Sequence, residues 1–322
     1  MSDERGLFEH ADGIVPRLEH GYCTDDNARL LVLTSREPDA GVPARLSRLA
    51  LEFVLDAQTM GGRFRNRMDQ TGHWIDEAAT GDCWGRGVWG LGVAASSHDD
   101  ADVRREAQIG FDTASQTRSR WARSMAFAAM GAVEVLRVRP DHRRARALVI
   151  DALALIGTST DGSWRWPQPR LTYANAALAE IKIAGGHALD RDQDVEHGLT
   201  MLSWLLDMEM ASGHLSVVGV GGRGPGERGP QFDQQPIEAA AMADACRRAE
   251  QVTGDSRWTG GVLAAAGWFH GRNDTGAVMF DPVSGGGYDG LQPDGVNLNQ
   301  GAESTMAFVS TMQLAGAVSV TR

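Results

Sequence analysis

What most restricts the fold of this 322-residue chain is an alternation of two kinds of helical segment along its length. Apolar periodicity predicts helices at 24–35, 43–58, 82–96, 101–115, 120–136, 140–157, 172–185, 191–209, 235–252, 256–270 and 299–318. Segments 82–96 (DCWGRGVWGLGVAAS) and 120–136 (RWARSMAFAAMGAVEVL) are apolar or small almost all round, as a helix enclosed on both sides must be. Segment 140–157 (PDHRRARALVIDALALIG) has a basic start and a polar stripe, which suits a helix with one face in water. Inner and outer helices therefore alternate. Connections from inner to outer are mostly short (97–100, 137–139, 186–190, 253–255), and those from outer to inner mostly long (59–81, 158–171, 210–234, 271–298), with 116–119 the short exception. Helical hairpins repeating at this spacing make a solenoid or a closed ring, and six inner segments favour the ring. The expectation is an all-α (α/α)6 toroid, one domain over 1–322. Only five outer segments are visible, so a sixth lies before Met1, comes from the N-terminal segment, or is absent.

The long connections deliver the chain to the N-termini of the inner helices, so those ends share one rim, and function is sought there. Composition narrows the partner. With 42% hydrophobic and 23% charged residues the chain can bury a sizeable core. A net charge of -11 argues against nucleic acid or an anionic membrane surface, both of which need clustered Lys and Arg. Cys23, Cys83 and Cys246 form no even disulfide framework, no secretory signal opens the chain, and no apolar run is long enough to span a bilayer. These features predict a soluble cytoplasmic protein with reduced thiols and a neutral or weakly charged ligand.

Carboxylates come first on the rim. EHGYCTDDNARLL places His20 before the first inner helix and Asp25 and Asp26 in its first turn; NLNQGAESTMAF places Gln300 and Glu303 at the sixth; DQQPIEAAA places Gln235 and Glu238 at the fifth. Each acidic residue also fits a capping or helix-dipole role. Two opposed carboxyls, however, are what glycoside hydrolysis requires, one protonating the leaving oxygen and one activating water. A helix N-terminus favours the ionised form, so the aspartates are expected as base and Glu303 or Glu238 as acid. Trp84 and Arg86 open the second inner helix, Trp121 and Arg123 the third, Tyr173 and Asn175 the fourth. Aromatic faces stack on sugar rings while Arg and Asn bond hydroxyls, so these residues, with His20, Gln235 and Gln300, are the substrate-binding candidates. The loops GHWIDEAATGD and GSWRWPQPR add Trp74, Asp76, Glu77, Trp164 and Trp166 as possible walls. No metal or cofactor is expected, because Cys23 and Cys83 lack further ligands for zinc. The run GVGGRGPGERG lacks the Lys-Ser or Lys-Thr of a phosphate loop and reads as a flexible loop or lid.

The stretches GLFEHADGIVPRLEHGYCTDDNARLL, GGRFRNRM with GDCWGRGVWGLG, LTYANAALAE, QQPIEAAAMADA and LNQGAESTMAF together resemble a bacterial family often labelled glycosyltransferase-like. Nothing in the chain resembles a nucleotide-sugar domain. DCWGRGVWGLG is more loosely similar to the Trp-Gly-Arg signature of six-hairpin glycosidases such as the unsaturated glucuronyl hydrolases. That resemblance implies a six-hairpin, (α/α)6 architecture and glycoside chemistry. The leading expectation is thus a glycoside hydrolase or related glycan-processing enzyme acting with inversion on an oligosaccharide or glycoside. The alternatives are a non-catalytic glycan-binding module and a sugar epimerase or isomerase, for which a histidine pair would be needed and His20, with His10, is the candidate.

Overall fold

The computed structural model describes residues 1–37, 41–158 and 162–320. Part of the long connection expected at 158–171 therefore lies outside the described residues. Its contacts divide the chain into two compact units, Met1–Ala11 with Val15–Ile156, and Asp12–Ile14 with Gly157–Arg322.

In the first unit the helices are α1 (Thr24–Ser35), α2 (Val42–Ala57), α3 (Asp82–Ser97), α4 (Ala101–Ala114), α5 (Ala122–Val138) and α6 (Arg143–Ile156). Helix α3 packs against both α1 and α5, so the three enclosed helices stand side by side, while α2, α4 and α6 back onto α1, α3 and α5. Small residues set this spacing. A Cβ added at Gly92 would fall on the Gly131 carbonyl oxygen, and one at Gly131 on that of Val88, both well inside the 3.0 Å that real Cβ atoms keep. The backbones of α3 and α5 thus touch directly, and only glycine permits it. Outer helix α4 is capped by Asp100, whose carboxylate accepts from the Asp102 and Val103 amides.

The second unit repeats the plan with α7 (Ala176–Ala188), α8 (Asp192–Glu209), α9 (Pro236–Thr253), α10 (Ser256–Phe269) and α11 (Ala302–Val320). Helix α9 packs on α7 and α11, with α8 behind α7 and α10 behind α9. All eleven helices coincide with segments expected from periodicity, with ends shifted by a few residues. Among the described residues no sixth outer helix is present, and the segment before α1 is instead irregular, with short strands. Strand Tyr22–Cys23 pairs antiparallel with Arg67–Met68, and Phe8, Tyr22, Phe53 and Met68 form a small core with Trp74 against it. No helix among the described residues is long and apolar enough to cross a membrane.

Candidate active site

No N-cap side chain of α1, α5, α7 or α9 caps a backbone amide of its own first turn, and at α3 the N-cap is glycine. At two of these ends another segment supplies the acceptor, Asn66 at α1 and Glu238 at α7. In the first unit, Asp76 accepts the Asn66 and Arg67 amides at 2.8 and 2.9 Å, and Asn66 Oδ1 then accepts the Asp25 amide at 3.3 Å. Asp76 and Trp74, which donates to Asp56 at 3.0 Å, are thereby structural parts of the loop.

The adjacent aspartates have opposite fates. Asp26 is buried, accepting from Arg29 at 2.5 Å through Oδ1 and from the Cys23 thiol at 3.1 Å through Oδ2. Asp25 keeps 20% of its side-chain surface, and its Oδ1 lies 3.6 Å from Arg86 Nε without a hydrogen bond. Burial pushes its carboxyl up to about 6; Arg29 and Arg86 oppose this, while Asp26 and Asp82 add to it. Desolvation thus outweighs the helix dipole, which favours the ionised form of Asp25. Arg86 is itself buried, its guanidinium 4.0 Å over the Phe127 ring. Asp82 accepts from Ser124 at 2.6 Å, and Arg123 is buried in the first turn of α5.

Trp121, by contrast, is 54% exposed, with Arg120 stacked 4.4 Å from its ring. Trp84 is fully buried, so the expected stacking face is not available and its ring belongs to the core. His20 is exposed and meets His10 edge-on, ring centroids 5.0 Å apart, each histidine beside a glutamate.

Among the described residues one group of three could offer ligands to a metal, Glu9, Cys23 and Asp26, with atoms within 4.8 Å of one another. Cys83 is not part of it; its thiol faces the Phe64 carbonyl. Arg67 and Arg29 already pair with the two carboxylates, and burial pushes the Cys23 thiol well up, with Asp26 and Asp25 adding to it. The group is arranged as ion pairs rather than as an open coordination site.

In the second unit Glu238 is buried and receives the Ala174 amide, the Asn175 amide at 3.4 Å and Asn175 Nδ2 at 3.3 Å. It fastens the start of α7, where Ala174 has a φ of 43°. Asn175 is fully buried, its Oδ1 accepting the Thr172 amide at 2.9 Å, while Gln300 is buried with Oε1 accepting from Ser284 at 2.6 Å. These two expected sugar ligands are corrected to internal braces. Glu238 stands beside buried Glu209, whose carboxyl is held well above its ordinary value by burial and then by Glu238. Gln235 is half-buried at the α9 N-cap, Glu303 half-buried in the first turn of α11, and Tyr173 exposed. The glycine-rich run is not free: Glu227 pairs with Arg170 at 2.7 Å, and Arg223 bonds the Gly229 carbonyl at 2.6 Å. Trp164 and Trp166 pack on Trp204, with Trp166 buried. Glu77 is exposed.

The sequence reading missed His214 and Asp274. They lie in the loops that lead into α9 and α11, with His214 Nε2 3.0 Å from Asp274 Oδ1. Sixty residues separate them, and neither is in a recognisable motif, so only the fold brings them together.

Structural comparison places this geometry. The chain matches a sugar epimerase from a ruminal bacterium with a TM-score of 0.75 at 12% identity, covering 99% of this chain and 93% of that one. It matches the cellobiose 2-epimerase of Spirochaeta thermophila at 0.70 and 12%, covering 98% and 91%. An inactive variant of an alpha-1,6-mannanase of Salegentibacter sp., in complex with alpha-1,6-mannotetrose, matches at 0.66 and 11%, covering 98% and 94%. The fold is the (α/α)6 toroid. No family model matches the chain and no curated protein matches it in sequence, so the glycosyltransferase-like label finds no support there. Likeness at this identity shows the fold, and the fold hosts more than one chemistry.

Proposed function

We propose that this chain is a sugar-processing enzyme of the glycoside-hydrolase type in which Asp25 transfers the proton. The observation that carries the reading is the Asp25 carboxyl, pushed up to about 6 at a helix start, with an oxygen free of hydrogen bonds and a buried guanidinium 3.6 Å away. A carboxyl titrating near neutrality both gives and takes a proton at useful rates. Asp26, held by Arg29 and Cys23, orients the turn rather than reacting. The mannanase supports the reading by analogy, since its inactive variant has two consecutive aspartates replaced, the same adjacency as Asp25–Asp26.

A second reading, a sugar epimerase or isomerase, is favoured by one observation: the His10–His20 pair, edge-on at 5.0 Å. Two of the matching structures are epimerases by name. The two readings separate in isotopic water. A panel of oligosaccharides is incubated with the protein in H2-18O and, separately, in D2O. Hydrolysis gives new reducing ends carrying 18O, and Asp25→Asn lowers that turnover by about 10²–10⁴-fold, the range for losing a positioned acid or base. Hydrolysis needs a second carboxyl, which Glu303→Gln tests. Carbon-bound deuterium without new reducing ends, lost in His20→Asn, overturns the hydrolase in favour of the epimerase. Saturable binding with neither isotope incorporated leaves a glycan-binding module.

A further inference from the structure

In the first unit the Asp25 carboxyl faces a cation that stands close without bonding to it. Arg86, from α3, is 3% exposed and holds its Nε 3.6 Å from Asp25 Oδ1, an atom with no hydrogen-bond partner. The adjacent pair differs: Arg29 closes on Asp26 Oδ1 at 2.5 Å. Arg86 has another seat. Its guanidinium carbon lies 4.0 Å from the centroid of the Phe127 ring, which is 3% exposed and stacks on Trp89 with centroids 6.0 Å apart and planes 19° from parallel. The electron-rich face of such a ring holds a cation removed from water. The backbone fixes this seat. A Cβ added at Gly85 would fall on the Ser124 carbonyl oxygen, so α3 touches α5 just before Arg86 and about one turn before Phe127. Arg86 is thus held between a ring and a carboxyl, and the contact of α3 with α5 sets where it stops.

For a proton-transfer group this stand-off matters. A carboxylate bonded to a guanidinium stays ionised and has no proton to give, whereas a buried carboxyl with no cation beside it keeps its proton. The titratable and charged groups around Asp25 come from several segments: Cys23, Asp26 and Arg29 at the start of α1, Asp82, Cys83 and Arg86 on α3, and Glu9, which pairs with Arg67 and stands beside Cys23 and Asp26. On the loop before α3, Asp76 is engaged by the Asn66 and Arg67 amides. Burial keeps both thiols neutral, with Cys23 pushed well up and Cys83 to about 12. Asp26 is taken by Arg29, and Asp82 accepts from Ser124. We propose that Arg86 is the positioning residue for Asp25: seated on Phe127, it presents a fixed positive charge that steadies the carboxylate left when the proton departs, without a hydrogen bond that would keep the proton away. This role rests on the reading that Asp25 is the proton-transfer group. In hydrolysis Asp25 gives its proton to the leaving oxygen as the glycosidic C–O bond breaks. Water delivers its oxygen to the sugar carbon, and the proton that water gives up passes through the second carboxyl to solvent, from which Asp25 is reprotonated.

One measurement made without substrate tests both the charge and its seat. In protein labelled with 13C at the aspartate carboxyls, the Asp25 resonance, identified by its loss in Asp25→Asn, is followed with pH and should titrate at about 6. Arg86→Gln removes the charge and should raise that midpoint by at least about one pH unit, the low end for an opposite charge at ~4–6 Å. Phe127→Leu removes the seat and keeps the charge, so the guanidinium settles on Asp25 and the midpoint should fall. An unchanged midpoint in Arg86→Gln overturns the proposal. So does a midpoint that stays or rises in Phe127→Leu, the variant that decides if Arg86→Gln does not fold. With a hydrolysed glycan, the alkaline limb of the kcat profile, where a general acid has lost its proton, should move up in Arg86→Gln with KM little changed. The failures are distinct. If Asp25→Asn abolishes turnover and both midpoints stay in place, this inference fails and the hydrolase reading stands; if both midpoints move as stated and Asp25→Asn turns over normally, the Asp25 role falls, and the positioning role with it.

Discussion

Replacing Asp25 by Asn should stabilise the protein at neutral and alkaline pH and leave it unchanged in acid. The folded carboxyl titrates at about 6 against an ordinary value of 3.8. Between those values the folded state binds more protons than the unfolded one, so stability falls as pH rises through that window and the loss is complete above the folded value. At about 1.4 kcal/mol per pH unit the interval comes to ~3 kcal/mol. This is already net of the attraction to Arg29 and Arg86, which lowers the titration point. Asparagine has the same shape and no charge, so it removes the penalty. With unfolding entropy of ~2.1 cal/mol/K per residue over 322 residues, ~3 kcal/mol corresponds to ~4 °C in melting temperature. The assay is differential: melting curves of the two proteins in matched buffers from pH 4 to pH 8. Groups remote from Asp25 titrate equally in both and cancel. The gap should be near zero at pH 4, open between pH 4 and 6, and hold steady to pH 8. A gap independent of pH, or an Asn variant less stable at pH 8, would refute the claim that burial dominates at Asp25. A stabilised variant with lost turnover would fit a residue kept at the expense of stability for its chemistry.

Helix contact gives a second test. Gly92→Ala must force α3 from α5 and should cost at least about 1–3 kcal/mol. Gly260→Ala in α10, where nothing lies within 4 Å of an added Cβ, should stabilise by roughly 0.5–1 kcal/mol; equal melting temperatures in the two variants would discredit the close approach. The two tryptophans also divide. Trp84→Ala should destabilise by about 3–5 kcal/mol, as a buried aromatic does, whereas Trp121→Ala should leave unfolding nearly unchanged and weaken sugar binding by roughly 1–3 kcal/mol, read by tryptophan fluorescence titration. Unchanged affinity in a folded Trp121→Ala variant would remove it from the rim.

The sequence by itself determined the eleven helices and their alternation. Helical periodicity is written within a few turns of chain, and enclosure on both sides shows as an absence of polar residues, so α3 and α5 could be read as inner helices from composition alone. The glycines of α3 were visible too, although not that Gly92 abuts the Gly131 carbonyl. Which of the residues at these helix starts are buried or bonded internally was decided only by tertiary structure. Asp25 and Asp26 are the same residue one position apart; Arg29 and Cys23 hold one while desolvation raises the other. Glu238 was expected as a catalytic acid and Asn175 as a sugar ligand, but they bond each other across more than sixty residues, and Trp84 looked like a stacking face until neighbouring helices closed over it. His214 and Asp274 carried no local signal. Burial, ion pairing and titration arise from groups that meet through space, and sequence separation carries almost no record of those meetings.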